Sequence, residues 1–288
     1  MTAETIRVGV IGAGGNTTKL HIPGLQKQKG VEIVAVVNRT PASGRRVAEA
    51  HGIPTVHDDW RSLLADGAID AVCIGTWPYT HAAMTIAALA AGKHVLCEAR
   101  MAMNHDEAKA MLAAARAAPH LTAQIVPAPH TLAFDRTIVE MIAGGHIGEL
   151  IAIDARVAAA RSYPNGSGPQ HWRQNRTLSG DNIMNMGIWY EAMMRWVGPA
   201  KSVAAVGQSV VRHRLNEAGA RTAMAIPRPY RRDRRDGAGR ADALQRLRRA
   251  WPCAGPGGRA HFRDRRHVAL APTCRRADGP IGRQARRR

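Results

Sequence analysis

Ile6-Arg-Val-Gly-Val-Ile-Gly-Ala-Gly-Gly-Asn-Thr-Thr-Lys-Leu-His21 is the stretch that decides the fold of this chain of 288 residues. An apolar strand leads into a glycine turn, and a helix follows. Gly12 permits the tight turn, Gly14 lets the backbone approach a pyrophosphate, and the amides at the helix start can bind phosphate oxygens. This order predicts a dinucleotide cradle, and a glycine turn without a ligand is the alternative. The residues assigned to the cradle are Gly12, Gly14, Gly15, Asn16 and Thr17.

The third glycine of the dinucleotide fingerprint is absent from this turn. Thr17 occupies its position. That glycine normally allows the helix to pack closely on the strand. We therefore expect slightly looser packing between helix and strand here.

The second apolar run, Val31-Glu-Ile-Val-Ala-Val-Val37, is typical of a strand buried on both faces of a parallel sheet. It ends at Asn38 and Arg39, where an acidic side chain would bind the ribose hydroxyls and repel a 2′-phosphate. Asn38 removes that repulsion and Arg39 can pair with the phosphate, which favours NADP over NAD. The alternative is a polar strand end with no such role.

Strands and helices continue to alternate as far as residue 118. We predict strands at 70–76 and 92–98, and helices at 43–51, 60–65, 78–91 and 105–118, the last with a capping box at Asn104 and Glu107. Such alternation predicts a doubly wound parallel sheet, whose ligands bind beyond the carboxyl ends of the strands. Gly12, Asn38, Thr76 and Glu98 all fall at those ends.

Three motifs together carry a family resemblance: the glycine turn, Thr76-Trp-Pro-Tyr-Thr-His81, and Ala91-Gly-Lys-His-Val-Leu-Cys-Glu98. Over about residues 5–215 the chain resembles the glucose-fructose oxidoreductase, inositol dehydrogenase and MocA family. The resemblance implies a Rossmann domain followed by an α/β domain whose open, mostly antiparallel sheet often mediates oligomers. It also implies hydride transfer between NAD(P) and a sugar, polyol or related hydroxyl compound. Thr76, Trp77, His81 and Glu98 join the predicted cofactor site, with His81 ordering the loop and capping its helix.

The acid/base positions of the family are changed in this chain. The resemblance implies a lysine directly after Glu98, and an aspartate and a histidine four residues apart on a helix of the second domain. Ala99, Asn185 and Trp189 stand at these positions. None of the three can accept a proton near neutral pH, as oxidation of an alcohol requires. A dinucleotide-binding sensor or regulatory protein without redox turnover is therefore the alternative function.

A replacement base and a substrate site can still be predicted. His171, on the polar loop 161–178, is the first candidate base, against the alternative of a loop histidine bonded to backbone; His130 and Glu191 are weaker candidates. An amide and an indole suit a sugar ring. The predicted substrate-binding residues are Arg100, Trp172, Asn185 and Trp189.

The second half of the chain is predicted to be a partial domain. We expect helices at 131–143 and 179–196 and strands at 149–157 and 201–211. The predicted domains are a Rossmann domain over residues 1–124, a partial α/β substrate and oligomerisation domain over 125–227, and a tail over 228–288.

The tail has a composition of its own. It carries 19 arginines, five aspartates and no lysine, a net charge of +14, whereas the preceding 227 residues carry +5. It has no strand or helix periodicity and cannot bury enough apolar surface to fold alone. Arg, Ala, Gly and Pro dominate it, as expected of a GC-rich gene read out of frame, so we favour a frameshift near Pro227 that truncates the sheet. An arginine-rich arm that contacts nucleic acid is the weaker alternative.

Four cysteines lack any disulfide or metal-ligand spacing, so we predict free thiols in the cytoplasm and no metal site. No export signal and no transmembrane run are recognised. The predicted partners are a small carbohydrate-like substrate and, in an intact form, further copies of the chain.

Overall fold

A computed structural model describes residues 5–155, 169–180, 184–205, 207–208, 211–224 and 228–229. The predicted tail lies almost wholly outside the described residues, and so do residues 161–168 of the polar loop and the side chain of Asn185. The backbone at residue 185 is helical.

A six-stranded parallel sheet forms the N-terminal half. Its strands are β1 (Ile6–Ile11), β2 (Val31–Val37), β3 (Thr55–His57), β4 (Ala71–Ile74), β5 (His94–Cys97) and β6 (Ala123–Ile125). They lie in the order β3-β2-β1-β4-β5-β6, so the chain winds outwards in both directions from β1. The predicted Rossmann fold is therefore confirmed. The short strands β3 and β6 were not predicted from the sequence.

Helices pack against this sheet and bury two separate apolar clusters. One cluster contains Ile11, Ile74 and Val95, and the other contains Val10, Val36 and Cys73. Because neighbouring strand residues point to opposite faces, Val10 and Ile11 belong to different clusters. The helical segments are a π-helical turn (Thr17–His21), α1 (Ile22–Gln26), α2 (Pro41–His51), α3 (Trp60–Ala65), α4 (Pro78–Ala90) and α5 (His105–Ala117).

The capping of α5 differs in one detail from the prediction. Asn104 Oδ1 accepts a hydrogen bond from Glu107 N at 2.9 Å, as a capping box requires. The Glu107 carboxylate, however, accepts from Met103 N rather than from Asn104 N. The reciprocal contact is therefore shifted by one residue, and it still satisfies a backbone donor near the helix start.

The second half contains α6 (Asp135–Ala143), a 3-10 turn (Trp172–Gln174), α7 (Arg176–Ser179) and α8 (Met184–Val197). Arg195 joins α8 to α6. It donates to Asp135 Oδ2 at 2.9 Å, and it also pairs with Glu191. Trp196 Nε1 donates to the other oxygen of Asp135 at 2.6 Å. Arg195 therefore neutralises two carboxylates at this helix contact.

The strands of the second half are shorter than predicted. Two antiparallel pairs are described: β8 (His213–Leu215) with β9 (Arg221–Ala223), and β7 (Gly207–Gln208) with β10 (Arg228–Pro229). No strand is assigned to the described residues 149–155 or 201–205, so both predictions are wrong there. The amino-acid sequence of a segment can favour a strand, but only hydrogen bonding to a neighbouring strand makes one. No helix in the described part of the chain has both the length and the apolarity to cross a membrane.

Candidate active site

The glycine turn lies where β1 meets the end of β4. Gly12 has φ +84°, and a Cβ there would lie 2.4 Å from Thr76 Cγ2 and 2.9 Å from Thr76 N. A Cβ on Gly14 or Gly15, in contrast, would meet no heavy atom within 4 Å. The turn is closed towards β4 and open above Gly14 and Gly15. This open space fits the diphosphate of a dinucleotide.

The expectation of looser packing between helix and strand at Thr17 is wrong. The Thr17 side chain is buried, and a Cβ on Gly75 would lie 2.0 Å from Thr17 Oγ1 and 2.6 Å from the Gly12 carbonyl oxygen. The glycine missing from the helix is thus matched by a glycine at the end of β4. The helix approaches the sheet closely because Gly75 provides the space.

Asn38 has a structural contact that the sequence pattern did not reveal. Its Oδ1 accepts a hydrogen bond from Ala13 N at 2.7 Å, so the end of β2 holds the glycine turn. Arg39 is exposed beside it. Asn38 can therefore shape the cradle, while Arg39 can reach a ligand phosphate.

Glu98, at the end of β5, is fixed by three donors. Oε1 accepts from His21 Nε2 at 2.6 Å and from Asn16 Nδ2, and Oε2 accepts from Ala99 N at 2.9 Å. Burial favours the neutral acid, but the hydrogen bonds from His21 and Asn16 outweigh it and lower the pKa of Glu98. Glu98 is thus an anion that holds the helix after the glycine turn. His21 was missed as a site residue, although it ends the stretch that decides the fold.

His81 ties the ends of β4 and β5 together. Its side chain is fully buried, with Nδ1 2.8 Å from the Arg100 carbonyl and Nε2 3.1 Å from the Thr76 carbonyl. Burial lowers the pKa of His81, and a neutral imidazole donates from one nitrogen only. We assign that proton to the shorter contact, with Arg100. The loop-ordering role predicted for His81 fits these contacts, whereas the N-cap of α4 is Trp77.

Two tryptophans connect the loop after β4 to the loop that contains His171. Trp77 and Trp172 stack with ring centroids 5.2 Å apart and planes inclined by 12°. The guanidinium carbon of Arg173 lies 4.2 Å from the Trp172 ring centroid on the same loop. The structure thus brings together Trp77 and Trp172, which the sequence assigned to different ligands. Arg173, to which the sequence assigned no role, joins them.

His171 lies next to this stack but caps a turn. Its Nδ1 accepts from Arg173 N at 3.2 Å, and Gln174 Oε1 accepts from His171 N at 3.0 Å. Burial, and then the charge of Arg173, lower the pKa of His171. In the neutral ring Nε2 carries the proton, so that nitrogen donates. This capping contact works against the expected role of His171 as a proton acceptor.

The other replacement bases have contrasting surroundings. His130 is exposed and stacks on Trp189, with centroids 5.9 Å apart and planes inclined by 10°. An imidazole therefore lies against the indole at the position where the family has its histidine. Glu191 is paired with Arg195 and lies 3.3 Å from Ala128 N, so it stabilises the helix contact instead. Among the described residues, no cluster of three or more His, Cys, Asp or Glu side chains could hold a metal ion.

Two family models match the chain. The oxidoreductase family model with an NAD-binding Rossmann fold matches residues 6–124, and the GFO/IDH/MocA C-terminal domain matches residues 136–228. Together with the parallel sheet and its glycine turn, these matches show that the chain belongs to the GFO/IDH/MocA oxidoreductase family.

Individual relatives agree with this assignment. The chain is 33% identical over 205 residues to 1,5-anhydro-D-fructose reductase of Ensifer adhaerens, covering 69% of this chain and 59% of that one. An NAD binding oxidoreductase from Klebsiella pneumoniae superposes with TM-score 0.63 at 26% identity, over 77% of this chain and 61% of that one. An oxidoreductase domain protein from Kribbella flavida, 22% identical over 78% of this chain and 62% of its own, has the same fold with TM-score 0.67. The chain thus spans less than two thirds of the length of these relatives.

Proposed function

We propose that this protein is an NAD(P)-dependent oxidoreductase that transfers hydride between a nicotinamide and a sugar, polyol or related hydroxyl compound. The observation that carries the proposal is the open cradle over Gly14 and Gly15, beside a Glu98 carboxylate anchored by His21 and Asn16. Relatives named as sugar reductases and dehydrogenases support the substrate class. No relative reported above is named as a sensor or regulatory protein.

Each group of residues has a part in this proposal. Gly14 and Gly15 would bind the cofactor diphosphate, and Asn38 and Arg39 its adenosine ribose. The bound nicotinamide would supply or accept the hydride. Arg100, Trp172, Asn185 and Trp189 are proposed to hold the substrate. Trp77, stacked on Trp172, would form the wall between the two ligands.

A preference for NADP can be tested at Asn38. Asn38→Asp keeps the acceptor for Ala13 N but places a negative charge where a 2′-phosphate would bind. We expect NADPH to bind about tenfold more weakly to this variant, because a charge-assisted contact is worth roughly 1.5–3 kcal/mol, and NADH to bind equally well or better. Dissociation constants from fluorescence titration give the comparison. Tighter binding of NADH than of NADPH by the parent chain would contradict the preference.

The proton acceptor is proposed to be a histidine near the carboxyl ends of the strands, either His171 or His130. The pH dependence of turnover distinguishes these two candidates. Burial, and then the charge of Arg173, lower the pKa of His171, so a His171 base would be deprotonated and active above that lowered pKa and would lose activity as the pH falls through it. We expect this acid limb of kcat/KM to vanish in the variant that lacks the base.

His171→Ala and His130→Ala are the matched pair for that experiment. Loss of the acid limb of kcat/KM in His171→Ala alone would show that His171 accepts the proton, despite its capping contact. Loss in His130→Ala alone assigns it to the histidine that stacks on Trp189. A limb unchanged in both variants excludes both residues. Absence of hydride transfer to NADP from any sugar or polyol tested would refute the proposed activity itself.

The remaining proposals concern the whole gene product. We propose domains at 1–124 and 125–227, a frameshifted tail at 228–288, a cytoplasmic location, and oligomers of the intact form. Resequencing through the codons around Pro227 tests the frame: an inserted or missing base would restore a sheet-forming C-terminus, and a confirmed frame would refute the frameshift.

A further inference from the structure

Two arginines near the stacked tryptophans have a guanidinium donor with no hydrogen-bond partner among the described residues. The Nε atoms of Arg100 and Arg173 are buried without a hydrogen-bond partner, and no hydrogen bond or ion pair joins either guanidinium to another described residue. A buried donor without an acceptor costs free energy, and most buried polar groups in proteins have a partner. The two side chains thus have donors available for a ligand.

The two guanidiniums lie close enough to influence each other. Burial, and then the positive charge of Arg173, lower the pKa of Arg100 to about 10, which is still far above neutral pH. Both arginines are therefore charged at neutral pH. Glu98, the nearby anion that favours both charges, already accepts hydrogen bonds from His21, Asn16 and Ala99 N. One carboxylate thus faces two cations, and a positive charge is left over.

The backbone holds both arginines in place. The Arg100 carbonyl is bonded to buried His81, and the Arg173 carbonyl accepts from Ser179 Oγ at 3.0 Å. The Arg173 amide is bonded to His171, and its guanidinium lies over Trp172. A prearranged pair of arginines loses little freedom when it binds an anion, and guanidinium groups match carboxylates bidentately.

The position of the pair points to the substrate rather than to the cofactor phosphates. The order β1-β4-β5 puts the backbone at the end of β5 two strands, or about 10 Å at the usual strand spacing, from the backbone of the glycine turn. The Glu98 side chain spans this gap to Asn16. Arg100 follows β5, and Arg173 lies on the loop whose Trp172 stacks on Trp77. The proposed cradle for the diphosphate follows β1. Arg39 follows β2, which lies on the opposite side of β1 from β5.

We propose that Arg100 and Arg173 form a subsite for the carboxylate of the substrate, so that the protein acts on an acidic sugar or polyol such as a uronic or aldonic acid. The inference rests on the proposed function, because it names the substrate class of the same site. A carboxylate carries one charge, which matches the one left over beside Glu98. The neutral end of the substrate would then face the cofactor.

Binding to the full chain loaded with NADPH tests this subsite by calorimetry. The probes are two matched pairs, D-glucuronate with D-glucose and D-gluconate with D-glucitol. We expect the acid of at least one pair to bind about tenfold or more tightly than its neutral partner, as a charge-assisted bidentate contact implies. Arg100→Gln and Arg173→Gln should each remove most of that difference and leave NADPH affinity unchanged.

Arg61→Gln is the control, because Arg61 also stacks on a tryptophan, 4.3 Å from the Trp60 ring centroid, but belongs to α3. It should leave the preference intact. Equal affinities within both pairs, unmeasurable binding of both acids, or weaker NADPH binding in either arginine variant would each overturn the subsite. A parent chain that fails to bind NADPH contradicts the proposed function instead, so the two failures are distinguishable.

Discussion

At the scale of single residues, the geometry of the site depends on the positions that lack a side chain as much as on the polar groups that are present. Gly12 and Gly75 leave room where β1, β4 and the first helix meet, and Thr17 fills part of it. The oxygen of Asn38 then fixes the turn from β2. The sequence predicted the turn from its glycines, but the match between Thr17 and Gly75 joins positions 58 residues apart, so no local pattern contains it.

Gly75→Ala should be strongly destabilising. The added Cβ would overlap Thr17 Oγ1 and the Gly12 carbonyl oxygen, which is backbone and cannot turn away. Overpacking of this kind costs about 1–3 kcal/mol, so we expect a lower thermal midpoint and weaker NADPH binding. Gly67→Ala, where a Cβ would meet nothing within 4 Å, is the control. A stable Gly75→Ala variant with normal cofactor binding would disprove the close contact.

At the scale of secondary structure elements, the sheet is well predicted and the second half is not. Continuous apolar runs identify β1, β2, β4 and β5, because both faces of each strand are covered. The strands β3 and β6 have only three residues each, too few to give a pattern. In the second half, the sequence at 149–157 predicted a strand, but a strand is defined by a neighbour that sequence alone does not supply.

Two cysteines report on the integrity of the sheet. Cys73 in β4 and Cys97 in β5 are buried, and burial raises the pKa of each thiol to about 12. Thiolate is the reactive form, so neither should react with Ellman's reagent while the sheet is folded. In a Cys253→Ser/Cys274→Ser background we expect no labelling in buffer and two thiols in denaturant. Rapid labelling in buffer would show that the sheet opens.

At the scale of the whole molecule, the stability of the protein should fall in acid. Three hydrogen bonds from Arg7, first the two from its side chain and then the one from its backbone amide, lower the pKa of Asp70 from 3.8 to about 2. A folded-state pKa below the unfolded value stabilises the fold above the unfolded pKa, and that contribution is lost as the pH falls towards 2. Hydrogen bonds lower the pKa of Glu98 and Asp135 in the same direction, against the effect of burial.

Asp70→Asn tests the pH dependence. We expect its free energy of unfolding to be lower than that of the parent at pH 6, because the ion pair with Arg7 is lost, and the difference to shrink as the pH falls from about 4 to about 2. Urea unfolding at several pH values measures it. Asp106→Asn, whose carboxylate is almost fully exposed, is the control. A difference that stays constant down to pH 2 would contradict the lowered pKa.

The family and its fold could be identified from the sequence because the glycine turn and the motifs at 76–81 and 91–98 are local. The functional reading of the substrate side was less complete. The stacking of Trp77 on Trp172 joins the Rossmann half to a loop more than 70 residues further on. Only tertiary structure brings these positions together, and the sequence carries no periodicity that would pair them.

The match between Thr17 and Gly75 also restricts the order in which such a chain can change. A side chain at position 75 is incompatible with Thr17, because the two would occupy the same volume. A Cβ at position 75 would also meet the Gly12 carbonyl oxygen, so this turn requires glycine at position 75 whichever residue stands at position 17. Threonine could therefore enter the helix at position 17 only in a chain that already had glycine at position 75.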